Sequence, residues 1–402
     1  MVMLARIRKA LAGNIDWDVS LKNDLLEICR LYKGENLENR HRGLRWAERI
    51  GGANWILCHQ RANEYLASEG SKMFRIRKAI ELRKALSSPL AALFRSILQN
   101  VPVGLGMLLD IRKDVGADKS QKFPIVDFEI TSLLEVCLNP GLLQLQPVFQ
   151  SSDLSIKQSV ANVEALYPFQ SESDYGVRFG AGRRVFALIH PALRNSPLTV
   201  LYIALVDSEN LPTNIEDVLS GRYKFNDSTC DTAVCYSISN GHQGASRFGL
   251  AGWTIKKAIQ MLRTEFPGLK SVLTLSPIPG LIKWLKTENS VWCEDILRTA
   301  LDDPSILDSY KAVIIKKCLR YLALEKDANE ASLDPVFRFH THNGARLADI
   351  HWGADLSRRG IMNSFGMMCQ YEYRIDGESF ENHISISIRE MLSTSVAKSN
   401  EA

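Results

Sequence analysis

The sequence predicts an α+β protein, an N-terminal all-helical bundle followed by a mixed-sheet α/β domain, and two observations carry that expectation. From Ser20 to about Gly141 apolar residues recur at three- and four-residue steps, as at Leu21, Leu25, Ile28 and Leu31-Tyr32, with Ser20 placed as a helix N-cap. After about Pro147 short β-favouring runs alternate with helical stretches and turns, which places the domains at 1–147 and 148–402.

The elements of the second part follow in order. Arg184 to Ile189 and Leu198 to Leu205 read as strands of an antiparallel hairpin, separated by the turn-rich stretch from Pro191 to Pro197. Thr232 to Ile238 reads as a strand, Gly241 to Gly252 as a glycine-rich loop, and Trp253 to Phe266 as an amphipathic helix stopped by Pro267-Gly268. The apolar run Val272-Leu273-Thr274-Leu275 is a further strand, closed by Ser276-Pro277-Ile278-Pro279-Gly280, whose prolines should fix Ser276 at the strand end. Val336-Phe337-Arg338-Phe339 reads as another short strand, carrying His340 just before an Asn343-Gly344 turn, where a titratable ring can face a pocket.

Composition bounds the function. With 402 residues, 46% of them hydrophobic, the chain can bury a sizeable core in two domains. A net charge of +4 over this length excludes a dedicated nucleic-acid binder and suits a small anionic ligand. The arginines and lysines between Arg40 and Lys84 are interleaved with Glu38, Glu48, Glu64 and Glu81 and read as solvated helix faces. No apolar run is long enough to span a membrane, Met1 to Asn14 lacks the apolar core of a secretory signal, and Ser399 to Ala402 is not a peroxisomal signal, so a cytoplasmic setting is expected. Eight cysteines without CxxC pairs read as free thiols.

The two motifs, Ser276 to Gly280 and Phe339-His340-Thr341-His342-Asn343-Gly344-Ala345, resemble malonyl-CoA decarboxylase. The resemblance extends to Tyr236-Ser237-Ile238-Ser239, Glu265-Phe266-Pro267, Lys283-Trp284-Leu285, Arg359-Gly360-Ile361, Gly366-Met367-Met368 and Tyr371-Glu372-Tyr373. It implies a catalytic domain similar to the GNAT acyltransferases, an N-terminal bundle serving homo-oligomer contacts as a dimer or tetramer, and conversion of malonyl-CoA to acetyl-CoA and CO2. Ser276, His340 and Tyr373 are then the catalytic candidates, with the family's serine described as proton acceptor and its histidine as proton donor. The matching acyl-CoA loop is Ser246, Arg247, Phe248, Gly249, Leu250, Ala251 and Gly252, and Asn343 joins it as a substrate contact.

The loop departs from the family pattern: Arg247 stands where glycine is common, and Gly249 stands where some members carry a glutamate. Losing CO2 from a malonyl thioester leaves an enolate, so a site must stabilise charge on oxygen and deliver a proton to carbon. The thioester is itself the electron sink, so no metal or organic cofactor is expected. A zinc cluster of His340, His342 and His351 is disfavoured for want of a carboxylate or cysteine partner. The alternatives are a GNAT-like acyl-CoA-dependent acyltransferase, which needs an acceptor, and a non-catalytic acyl-CoA-binding regulatory protein.

Overall fold

The computed structural model describes residues 19–117, 120, 122–193, 196–222 and 229–397; Met1 to Asn14 and Ser399 to Ala402, on which the targeting expectations rest, lie outside them. The described residues form two compact units: those up to Gln144 with 190–193 and His242–Phe248, and the other described residues from Leu145 onward.

The first unit is helical: α1 (Val19–Gly34), α2 (Leu37–Ile50), α3 (Trp55–Leu66), α4 (Lys72–Ala85), α5 (Pro89–Asn100), α6 (Gly104–Ala117) and α7 (Pro124–Cys137). Ser20 lies inside α1 and is no N-cap; the caps that form are Asn36, Asn54, Ser71 and Ser88, each accepting from a backbone N–H of the next turn. The core comes from the apolar stripes of α1, α2, α5, α6 and α7, including Leu25, Leu93, Leu108, Val126 and Ile130. Asp114 is buried there and satisfied by Tyr32 (2.8 Å) and Arg40 (3.0 Å). The charges of α3 and α4 pair as Arg61–Glu64 and Lys78–Glu81, in keeping with solvated faces.

The second unit carries β1 (Gln144–Val148), α8 (Leu154–Ala161), α9 (Glu172–Arg178), β2 (Arg183–Ile189), β3 (Thr199–Val206), α10 (Ile215–Ser220), β4 (Thr232–Asn240), α11 (Leu250–Glu265), β5 (Ser271–Thr274) and β6 (Ser276–Pro277). It continues with α12 (Leu281–Glu288), α13 (Ser290–Asp302), α14 (Lys311–Ala323), α15 (Pro335–His342), β7 (Arg346–His351), α16 (Arg358–Ser364), β8 (Met368–Tyr373) and α17 (Ile386–Ala397). The strands form one mixed sheet in the order β1-β2-β3-β4-β5-β8-β6, with β7 also on β8. The β2–β3 hairpin is antiparallel, as the sequence predicts, and β4 with β5 is parallel across the α11 crossover.

Every residue of β3 is buried. Its alternate side chains divide between two cores, Leu201, Ile203 and Leu205 on one face and Val200, Tyr202 and Ala204 on the other, because helices cover both sides of the sheet.

The β4–β5 pairing ends at Cys235 opposite Thr274, while β4 runs on beside β3 to Asn240 opposite Thr199. The chain after β5 pairs instead with β8, Ser276 opposite Cys369 and Pro277 opposite Met368. The two parallel strands thus part company, and Pro277 is tolerated because its strand has a partner on one side only.

Candidate active site

A cavity of about 270 Å³ opens where β4 and β6 separate, lined by Ser237, Ile238 and Asn240 of β4, Thr274, Ser276, and Phe339 and His340 of α15, with Leu166 and Ala251 completing the wall. His340 is delivered there by a helix. The β-favouring run from Val336 to Phe339 is overruled by Asp334, whose carboxylate accepts from the N–H groups of Val336 (2.9 Å) and Phe337 (2.8 Å), and by Pro335 in the first turn, where a missing N–H costs nothing. The helical period turns Phe337 and His340 inward and leaves His342 exposed, so the two imidazoles do not share a face. Gly344, at φ +93°, ends the helix.

The structure brings Ser276, His340 and Tyr373 together. The Ser276 hydroxyl lies 3.1 Å from His340 Nε2, and His340 Nδ1 lies 2.8 Å from the Tyr373 hydroxyl. Tyr371, two residues before Tyr373 on the same side of β8, stacks its ring on the imidazole at 4.3 Å between centroids. Both ring nitrogens are therefore engaged by hydroxyls. His351 bonds Gln370 instead, so the three histidines form no common ligand set.

Burial dominates the electrostatics. His340 is 5% exposed, and desolvation of the charged ring pushes its pKa down to about 3. Its place in the last turn of α15 favours the imidazolium by only about 1 kcal/mol, too little to offset that penalty. Burial likewise holds the Tyr373 hydroxyl well above its ordinary value and pushes the cavity-lining Cys235 thiol up to about 12, which leaves no thiolate nucleophile at neutral pH.

A pH prediction follows. Between pH 6.5 and 3 unfolded His340 binds a proton that folded His340 refuses, so its burial lowers stability progressively as pH falls through that window and costs nothing above it. The stability of wild type should fall more steeply than that of His340→Gln from pH 6.5 to 4 in denaturant titrations; parallel slopes would show that the ring is not held neutral.

The glycines of the loop have separate steric causes. A Cβ at Gly241 would stand 2.0 Å from Pro197 O, at Gly244 2.0 Å from Leu109 O, and at Gly252 1.9 Å from Asn343 Oδ1, while Gly249 adopts φ +70°. Arg247, at φ +76°, holds the conformation that glycine adopts freely, which is a physical reason for glycine to be common there. The loop residues divide. Ser246, Arg247 and Phe248 belong to the helical unit, where Arg112 of α6 donates to Ser246 O (2.9 Å) and lies 4.7 Å over the Phe248 ring. Leu250, Ala251 and Gly252 form the first turn of α11, three residues earlier than the expected helix start, with Gly249 as N-cap. Asn343 bonds Phe339 O at 2.7 Å and packs on Gly252, tying the His340 helix to that turn.

The model of the malonyl-CoA decarboxylase C-terminal domain matches residues 141–400 of this chain. The chain belongs to the malonyl-CoA decarboxylase family. Malonyl-CoA decarboxylase of Anser anser anser, a mitochondrial protein by its name, is 30% identical over a 399-residue alignment covering 87% of this chain and 77% of that one. The Rattus norvegicus malonyl-CoA decarboxylase is 28% identical, over 76% of this chain and 69% of its own. The crystal structure of malonyl-CoA decarboxylase from Agrobacterium vitis superposes with a TM-score of 0.83 at 25% identity, over 98% of this chain and 100% of that chain.

Two residues of this malonyl-CoA decarboxylase family member escape the motif reading, Thr274 and Arg112, and Tyr371 is read there as a landmark of the resemblance without a place at the site. Thr274 and Tyr371 stand two residues before Ser276 and Tyr373, a spacing that in extended chain puts each pair on one side. Arg112 has no local signal for its place at the loop, because the carbonyls of Gly244 and Ser246 that it bonds lie more than 130 residues away.

Proposed function

We propose that decarboxylation of malonyl-CoA to acetyl-CoA and CO2, the reaction of this carboxy-lyase, runs through Ser276, His340 and Tyr373. The observation that carries this reading is the bonded row Ser276–His340–Tyr373 at the wall of one cavity. As the C–C bond to the carboxylate breaks, its electron pair enters the thioester as an enolate, and the Ser276 hydroxyl, which donates to Thr274 Oγ1 in the free protein, turns to hold the oxygen on which charge grows. The enolate carbon takes the proton on His340 Nε2 while Nδ1 takes the Tyr373 proton, and water restores Tyr373. One proton is consumed for each CO2 released. The chemistry requires no metal or organic cofactor. The test is chromatography of malonyl-CoA incubated with purified protein, without and then with an added acceptor: acetyl-CoA formed without acceptor supports the reading, and malonyl appearing on an added amine or thiol with no acetyl-CoA formed supports acyl transfer instead.

The loop Ser246 to Gly252 is read as the coenzyme A contact. The N–H groups of the first turn of α11, a 16-residue helix whose N-cap glycine has no side chain, are free donors for an anion. Arg247→Gly should raise KM for malonyl-CoA by about ten-fold, the loss of one charge-assisted contact, with kcat unchanged and no loss of stability because glycine suits φ +76°. A raised kcat effect with unchanged KM would remove Arg247 from the binding surface.

A homo-oligomer is part of this reading. The α3–α4 hairpin exposes Trp55 (75%), Leu66 (79%) and Met73 (61%) with Ile56, Ile76 and Ile80, and a second copy of the hairpin would cover them by completing a four-helix bundle. The cytoplasmic setting is kept with it, supported by bacterial relatives such as the Agrobacterium vitis protein.

A further inference from the structure

The hydroxyl row at His340 has one more member. We propose that Thr274 is a positioning residue that sets the tautomer of His340, an inference that rests on His340 as the proton donor of the proposed reaction.

Thr274 is 2% exposed, and its Oγ1 accepts two hydrogen bonds, from the Ser276 hydroxyl at 2.9 Å and from the Tyr371 N–H at 3.0 Å. The second bond fills a gap in the sheet: β5 pairs with β8 as far as Leu273 opposite Glu372, β6 resumes at Ser276 opposite Cys369, and between them the Tyr371 N–H goes to a side chain. Thr274 is thereby anchored from β8 with both lone pairs used as acceptors.

The direction of the remaining bonds follows. With its proton given to Thr274, Ser276 can offer His340 Nε2 only a lone pair, so the hydrogen in that 3.1 Å contact belongs to Nε2. Burial keeps the ring neutral, and a neutral imidazole carries one N–H. Nδ1 is therefore bare and accepts from the Tyr373 hydroxyl at 2.8 Å. This is the arrangement proton delivery needs: a proton on the nitrogen beside Ser276, and a donor behind the other to replace it. Without Thr274 the Ser276 proton is free to turn to Nε2, moving the ring proton to Nδ1 and leaving Nε2 nothing to give.

The experiment is nitrogen NMR of protein labelled with 15N-histidine, assigned with His340→Gln, together with acetyl-CoA kinetics. Wild type should show the Nε2–H tautomer at His340. Thr274→Val should shift it toward Nδ1–H and lower kcat by about 10²- to 10⁴-fold with KM nearly unchanged, and Thr274→Ser should restore both. An Nδ1–H tautomer in wild type, or Nε2–H retained in Thr274→Val, overturns the proposal. Should the valine variant fail to fold, the wild-type and serine spectra decide alone. The spectra do not depend on turnover, so absence of acetyl-CoA formation by wild type would sink the decarboxylase mechanism while leaving the Thr274 assignment to be judged separately.

Discussion

Replacing His340 by alanine should lower kcat for acetyl-CoA formation by about 10²- to 10⁴-fold, the range a positioned proton donor contributes. The imidazole is bonded to both Ser276 and Tyr373, so its removal takes away the proton source and leaves the buried Tyr373 hydroxyl without its partner, while Ser276 keeps its bond to Thr274. KM should change little, because the coenzyme A contacts are assigned to the Ser246 to Gly252 loop. The stacked Tyr371 ring loses its partner as well, so a melting curve must accompany the kinetics to separate lost chemistry from lost folding. A well-folded His340→Ala protein with wild-type kcat would remove His340 from the reaction.

Gly252→Ala is the second large effect. The added methyl would stand 1.9 Å from Asn343 Oδ1, far inside van der Waals contact, so Asn343 or the first turn of α11 must move. Asn343 caps the helix that carries His340: its side chain donates to Phe339 O and its backbone N–H to His340 O. A shift of about 1 Å in a positioned donor is enough for a roughly 10²-fold loss of kcat, with about 1–3 kcal/mol of stability lost to overpacking. Asn343→Ala in the same chain removes the clash, so the double variant should recover stability relative to Gly252→Ala, and the coupling between the two sites should be large in thermal melts. Wild-type kcat and stability in Gly252→Ala alone would contradict the contact.

The β4-loop-α11-β5 unit was legible in the sequence because its strands are apolar runs and its helix ends at Pro267-Gly268, both local signals. Ser276, His340 and Tyr373 were legible as a set through the family motifs, and the structure brings them within hydrogen-bond reach. The secondary structure under His340 was misread for a physical reason: Val336, Phe337 and Phe339 favour a strand, yet an Asp334 cap with Pro335 behind it fixes the first helical turn, and that local cap outweighs weak side-chain propensities. The helix α11 began three residues early because Leu250, Ala251 and Gly252 continue its period under a left-handed Gly249, a conformation with no signature beyond the glycine itself. In sequence the glycines of the loop read as one glycine-rich element. Gly244 and Gly252 answer instead to Leu109 and Asn343, partners too distant in sequence to be foreseen.

The measurement that tests the central claim most directly is a double-mutant cycle of acetyl-CoA formation from malonyl-CoA, without acceptor, for wild type, Ser276→Ala, His340→Ala and the double variant. Residues acting as one unit are strongly non-additive, so the double variant should be no more than about ten-fold slower than the slower single variant. Full additivity of two large losses, or a single variant with wild-type rate, would contradict a joint Ser276–His340 centre.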